Sequence, residues 1–422
     1  MHKTLMSLVA IAIGFGWLGT AQAEQPIALK FWTFLPVQGS DPRSTALKGV
    51  IDGFNKSQSK YEVSVESINY ARIDNTVIQS TAAGQGPDIL NVYTDQLSMH
   101  AAAKTIVPLD SYLAAMSPAE VEDFLISPNA LRIGGHVMAL PWEMRVWLLG
   151  YRKDLLDNAH QKVPATLDEV ANAAAVVSTD QVMGFGMGAS TAGLGAQAME
   201  TFAPIFWGAG GQMFDDKGNT TINSEAGVKT LSWLGDLVKR NAMKSTVVSM
   251  GAEDIQTAFR AGTVGMQIVG SYRVGATRNS PTTGDNFQTT PIPGWTADKP
   301  MPARLASQTL TIGTTSKHKD GAWEFIKYYL GTPSQIEFAK AGVLPSKASS
   351  YQDPFFGESS QGKEIRGWAD YARQRGRMEM TPRDFSRLSE ELAKAIQKVI
   401  LEGMDPKAAL DAAATAYNGQ RH

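Results

Sequence analysis

Apolar and polar positions recur along this chain in patterns that read as short strands and one-sided helices. Ile27 to Phe34 (IALKFWTF) alternates and then turns apolar, which predicts an opening strand. Asp41-Pro42 follows as N-cap and first helical residue, and Leu47, Val50, Ile51 and Phe54 then mark one buried helix face. Tyr61 to Ile68 alternates as a second strand, a helix over 72–83 ends near Gly84, and Ile89 to Tyr93 is a third strand. The order βαβαβ predicts a parallel sheet covered by helices. In such sheets ligands sit outside the carboxyl ends of the strands, here Trp32 to Phe34 and Tyr93 to Asp95.

Gly134 to Leu156 holds two apolar runs that meet at Pro141-Trp142-Glu143, with Arg145 and Trp147 in the second run. Proline cannot donate to a ladder, so a central sheet is not expected to run unbroken through Pro141. One reading makes this stretch a hinge, with Trp142, Glu143 and Arg145 between two domains. The other makes it a strand pair inside one domain, with Glu143 and Arg145 exposed.

Beyond it, Thr166 to Glu169 forms a capping box for a helix to about Val177. Ser224 caps a helix with Val228, Leu231, Leu234 and Val238 on one face. A helix ending at Gly262 feeds a strand over Val264 to Val269. Asn279 to Arg304 carries five prolines without periodicity, which marks it for a second crossing between domains. A strand at Thr309 to Ile312, a helix over Gly321 to Leu330 and a helical tail through Leu388, Leu392, Ile396 and Val399 complete the pattern.

A chain of 422 residues is too long for one core, so two domains are expected. Residues 1–23 have the form of a secretory signal: Lys3, an apolar run from Leu5 to Leu18, and Ala21-Gln22-Ala23 for cleavage. The mature protein should then start at Glu24 and be soluble. With no cysteine in the chain, disulfides, thiol nucleophiles and a lipid anchor on cysteine are excluded. An exported, unanchored protein points to a periplasm. A formal charge of −2 offers no general attraction to nucleic acid or anionic lipid.

Catalytic and metal signatures are missing. The six histidines have no metal-ligand spacing, no cofactor is indicated, and Asp215 to Asn219 reads as a turn rather than a calcium loop. Aromatic residues are more informative. Trp233 and Trp323 lie on helix faces and read as core, whereas Trp32 and Trp142 lie at strand ends beside polar residues. Sugars pack C–H faces on aromatic rings, and their hydroxyls need planar partners such as Asp, Glu and Arg. Tyr93 and Tyr272 fit either a ligand wall or a core.

Several stretches in order carry a resemblance over essentially the whole mature chain. They are GQGPDILNVYTD at 84–95, ALPWEMRVWLLGYRKDLL at 139–156, the helix start at 164–169, AFRAGTVGMQIVGSY at 258–272, DGAWEFIKYYL at 320–330 and AGVLPSK at 341–347. The chain resembles the extracellular solute-binding proteins of bacterial ABC importers, in the carbohydrate-binding family that includes maltose-binding protein. The resemblance implies an α/β, two-lobed periplasmic binding protein fold with hinge crossings and a central ligand cleft. It divides the chain into an N-terminal lobe (24–143 and 290–338) and a C-terminal lobe (144–289 and 339–422). It also implies Asp95 and Glu143 as carboxylates for sugar hydroxyls and Tyr272 as an aromatic contact. Phe34 stands where maltose-binding protein has a polar sugar contact, and Gln96 where it has a basic residue, so maltose itself is not implied.

The resulting expectation is a monomeric, non-enzymatic periplasmic receptor for a small saccharide, such as a disaccharide, that docks on an inner-membrane ABC permease. Trp32, Phe34, Tyr93, Asp95, Trp142, Glu143, Arg145 and Tyr272 are its candidate ligand residues, with Arg145 either a ligand contact or a structural partner of Glu143. Competing readings are a receptor for a polyol, a glycoside or an anionic solute, and an exported glycan hydrolase.

Overall fold

Parallel pairing of β1 (Ile27–Thr33) with β2 (Tyr61–Ser67) on one side and β3 (Ile89–Tyr93) on the other builds the first half of the molecule. The structure is a computed structural model that describes residues 25–379, 382 and 384–419; the expected signal at 1–23 lies outside them. The helix Pro42–Ser57 covers one face, and Asp41 caps it by accepting from the Arg43 and Ser44 N–H groups. A small hairpin, β4 (Arg132–Ile133) and β5 (His136–Val137), turns on Gly134 and Gly135. Both glycines have positive φ, as a tight hairpin of this hand needs.

The central element is β6 (Leu140–Arg152), a 13-residue strand buried along its whole length. With β7 (Met183–Gly186), β8 (Val264–Gly270), β9 (Phe287–Thr290), β10 (Ala303–Ile312), β11 (Leu344–Pro345) and β12 (Gly376–Arg377) it completes a ten-stranded mixed sheet. The main strand order is β2-β1-β3-β10-β6-β8-β7. The first half of β6 pairs with β10, and the second half pairs with β8 and β9.

The expected break at Pro141 does not occur. Thr309 faces Pro141 and Gln308 faces Glu143, so Trp142 is the extra residue of a β-bulge. A bulge is one of the few places where a sheet interior tolerates proline, because the ladder is already interrupted there. The bulge also lets Trp142 point into a core without reversing the sides taken by Glu143 and Arg145.

Two lobes follow from the packing. One holds Leu29, Phe31, Phe54, Trp142, Phe325 and Tyr329 on one sheet face, with Trp32, Val77 and Val92 in a smaller cluster. The other holds Met144, Trp147, Phe185, Phe202, Phe259 and Leu392. The chain changes core between Trp142 and Met144, again within β10 between Ala306 and Leu310, and a third time over Ile336 to Leu344, where Ile336, Ala339 and Leu344 join the second core and Phe338 and Val343 the first. The proline-rich stretch expected to carry the second crossing does not: Ile292 and Met301 belong to the second core, and the Tyr371 hydroxyl donates to the Met301 carbonyl at 2.8 Å. The crossing falls 16 to 20 residues later in sequence than the expected boundary at 290, within β10. The third change is tied down where Leu125 N–H donates to the Ser346 carbonyl and Ala348 N–H to the Asp123 carbonyl, both at 2.8 Å.

Candidate functional site

Strands β3 and β8 end against the paired β6 and β10 from opposite lobes. Tyr93, the last residue of β3, lies across from Gln308, and Gly270, the last of β8, lies across from Trp147. Side chains at these ends therefore converge on the crossing strands. Glu143 and Arg145, two apart on β6, share one strand face there.

Glu143 is 1% exposed and Arg145 is 6% exposed. The Arg145 Nε donates to Glu143 Oε1 at 3.2 Å and its Nη2 to Oε2 at 3.3 Å. Arg43, from the first helix, donates Nη2 to the same Oε2 at 2.7 Å. Burial works against the Glu143 carboxylate, but Arg145 and then Arg43 outweigh it, and the carboxyl lies below its ordinary value. The carboxylate is thus spent on two guanidinium groups. Arg145 is the structural partner of Glu143, and its guanidinium carbon sits 4.3 Å from the Tyr272 ring centroid and 5.4 Å from that of Tyr93. One cation thereby touches an aromatic ring from each lobe.

A second ion pair lies alongside. Arg304 donates Nη2 to Asp95 at 2.9 Å and Nη1 to the Tyr93 hydroxyl at 3.4 Å, and its guanidinium covers the Trp147 ring at 4.2 Å. A third is Arg273, which donates Nη2 to Glu253 at 2.7 Å and Nε to the Tyr272 hydroxyl at 3.1 Å. Glu200, on the helix Ala196–Gly208, faces this cluster. A small recess, with room for about one water, lies beside Asp95 and Arg304, walled by Trp207, Phe214 and Phe385.

Phe34 reaches the site through Tyr70, with ring centroids 5.6 Å apart and nearly perpendicular. Tyr70 is 50% exposed, and Arg145 and Asp95 are among the charged groups around it.

Six of the eight expected residues therefore gather around one cleft: Phe34, Tyr93, Asp95, Glu143, Arg145 and Tyr272. Two do not. Trp142 is fully buried in the first lobe, packed on Tyr329 and Phe338 at 5.3 and 4.9 Å, with its N–H toward Asn91 Oδ1 at 3.4 Å. Trp32 packs with Ile73, Val77 and Leu90 on the other sheet face. Each indole completes a core, so neither serves as the cleft platform that its place at a strand end suggested.

The site also contains Arg43, Tyr70, Glu200 and Arg273, which pattern alone does not single out. Arg43 and Arg273 each adjoin a recognisable feature, the Asp41-Pro42 helix start and Tyr272, and Tyr70 and Glu200 carry no local signal. Among the described residues no group of three His, Asp or Glu side chains could hold a metal ion. Asp215 to Asn219 is a turn, in which Asp215 accepts from the Lys217 and Asn219 N–H groups.

Two lobes joined by continuous strands, with charged and aromatic groups of both converging at the crossing, define a receptor that holds a solute between its lobes. The chain belongs to the bacterial extracellular solute-binding proteins, whose family model matches residues 39–336. That family is one of binding proteins, not of enzymes. The galactooligosaccharide-binding protein of Bacillus subtilis is 20% identical over 425 residues, covering 99% of this chain and 96% of that protein. A probable ABC transporter-binding protein of Deinococcus radiodurans is 27% identical over 243 residues, and the match spans only 53% of this chain and 56% of that relative. Among solved structures, the GacH receptor of Streptomyces glaucescens, studied unliganded and with acarbose, superposes with a TM-score of 0.78 at 21% identity, covering 94% of this chain and 98% of that one.

Proposed function

We propose that this protein binds a small saccharide between its lobes and delivers it from the periplasm to the membrane permease of an ABC importer. The observation that carries the reading is convergence: Tyr93 and Asp95 from one lobe and Tyr272 and Glu200 from the other meet around the same two crossing strands. The relatives described above as binding galactooligosaccharide and acarbose support a carbohydrate ligand. A disaccharide is the size this reading favours. Arg304 and Arg145 already lie against the Trp147 and Tyr272 rings. Hydroxyl contacts to charged groups therefore carry more of the recognition than ring stacking does, and Tyr93 and Asp95 present the polar edge.

Closure then follows from differential affinity, since only a ligand that binds the closed form better shifts the lobes. The test is tryptophan fluorescence titrated with mono-, di- and trisaccharides and polyols, with the ligand recovered and analysed afterwards. A saturable response to one saccharide, recovered unmodified, is the expected result. A saccharide that is consumed, or a panel that gives no response, overturns the reading.

A further inference from the structure

Strand β2 is the outermost strand at one end of the sheet, paired only with β1. The Ile27 N–H donates to the Lys60 carbonyl and the Ile68 N–H to the Thr33 carbonyl, both at 2.9 Å, so the even-numbered residues of β2 hydrogen-bond to β1. The N–H and C=O groups of Tyr61, Val63 and Val65 therefore point away from the sheet. Such a row of groups is a template for a further strand.

Two of these three residues are already occupied. Asn55, in the last turn of the helix Pro42–Ser57, donates Nδ2 to the Val63 carbonyl at 3.0 Å and accepts from the Val63 N–H at 2.8 Å. Gln58, which ends that helix, donates Nε2 to the Tyr61 carbonyl at 2.7 Å and accepts from the Tyr61 N–H at 2.8 Å. A carboxamide has the donor and acceptor of a peptide group, so the two side chains stand in for a neighbouring strand. At the far end, the Val37 N–H donates to Ser67 Oγ at 3.2 Å, and that hydroxyl donates to the Leu35 carbonyl at 2.8 Å. This places the loop after β1 beside the end of β2.

The residues of the edge indicate what it would otherwise take. Lys60 to Ser67 reads KYEVSVES. Set antiparallel against a second copy with Val63 facing Val63, Tyr61 meets Val65, Glu62 meets Ser64 and Lys60 meets Glu66. Outward-facing backbone groups then face one another, apolar side chains oppose apolar ones, and two exposed lysines oppose two exposed glutamates. A two-fold pairing is self-complementary in this register.

We propose that Asn55 and Gln58 guard this edge: their amides occupy the positions that a second copy of the chain would otherwise pair with, and so keep the protein a monomer.

The first test is amide hydrogen exchange of the unaltered protein by NMR. Tyr61 and Val63 should exchange at least about fivefold more slowly than Val65, whose outward N–H no side chain covers among the described residues. Equal rates for the three would overturn the guard. The second is mass by analytical ultracentrifugation over a concentration series. The wild type should keep one mass, and Asn55→Ala with Gln58→Ala should rise about twofold as concentration increases. Adding Lys60→Glu sets carboxylate against carboxylate and should return the monomer. Adding Glu66→Lys to that variant should restore the dimer. Circular dichroism and a cooperative thermal transition check that each variant is folded. If the double variant does not fold, Asn55→Ala and Gln58→Ala singly carry the same expectation with weaker association. A folded, unguarded variant that stays monomeric overturns the proposal, as does association that ignores the charges at 60 and 66, or a wild type that is itself a dimer.

Discussion

At the scale of single residues, the cleft shows why a side chain's type does not reveal its task. Glu143 and Arg145 have the chemistry to hold a sugar, yet burial and mutual pairing turn them into a structural cluster with Arg43. Replacing Glu143 by glutamine should therefore destabilise the protein by about 3–5 kcal/mol in urea unfolding, because two guanidinium groups are left without their counter-charge. The pH dependence has a defined sign. The folded carboxyl lies below its unfolded value, so its stabilisation is present above the unfolded pKa of about 4.3 and is lost as pH falls through the folded one. The gap between wild type and Glu143→Gln should narrow in acid, as urea midpoints at pH 7 and pH 3.5 would show. Glu200 behaves oppositely. Its raised carboxyl destabilises the folded state above that pKa, so Glu200→Gln should raise the melting temperature at neutral pH. Neither sign is legible in the sequence, since both depend on which arginines fold against which carboxylate.

At the scale of elements, β6 is legible as an apolar stretch with a proline in it, but its continuity is not. Whether Pro141 ends a strand or occupies a bulge depends on the partner's register, and that register is set by β10 from some 160 residues away in sequence. Trp142 fills the first core through this bulge, so Trp142→Ala should cost about 3–5 kcal/mol by chemical denaturation, the usual cost of emptying a large aromatic site. The end of β8 gives a more selective test. A Cβ at Gly270 would lie 2.3 Å from a ring carbon of Tyr272, so Gly270→Ala must displace the ring that Arg145 touches. Ligand titration should then show affinity weakened by about tenfold, the scale expected for strain in a packed site. Unchanged affinity would place Tyr272 outside the binding surface. Elements set by local chemistry are legible in the sequence. The Asp41-Pro42 helix start, the helix after Asp405-Pro406 and the glycine stop at Gly403 all appear where their residues put them. Ser224 precedes its helix but makes no capping hydrogen bond with its side chain.

At the scale of the whole molecule, two lobes share one sheet, and the paired strands β6 and β10 run through the central crossing. Ligand binding should therefore stabilise both lobes together, by about 2.7 kcal/mol at one hundred times the dissociation constant, read as a rise in a single thermal transition. A neutral saccharide should bind almost equally at low and high salt, whereas an anionic solute would bind more weakly as salt screens the cleft. The sequence by itself determined the α/β alternation, the two-lobe size, the helix boundaries and the candidate set from which the cleft is drawn. Those features follow from periodicity and capping, which act over a few residues. The tertiary structure decided the place of the second crossing, the passage of β6 through Pro141, the removal of Trp32 and Trp142 into cores, and the pairing of Glu143 with Arg145 and Arg43. These depend on strand register and on charges brought together from distant segments, and a chain encodes such contacts only through the fold it completes.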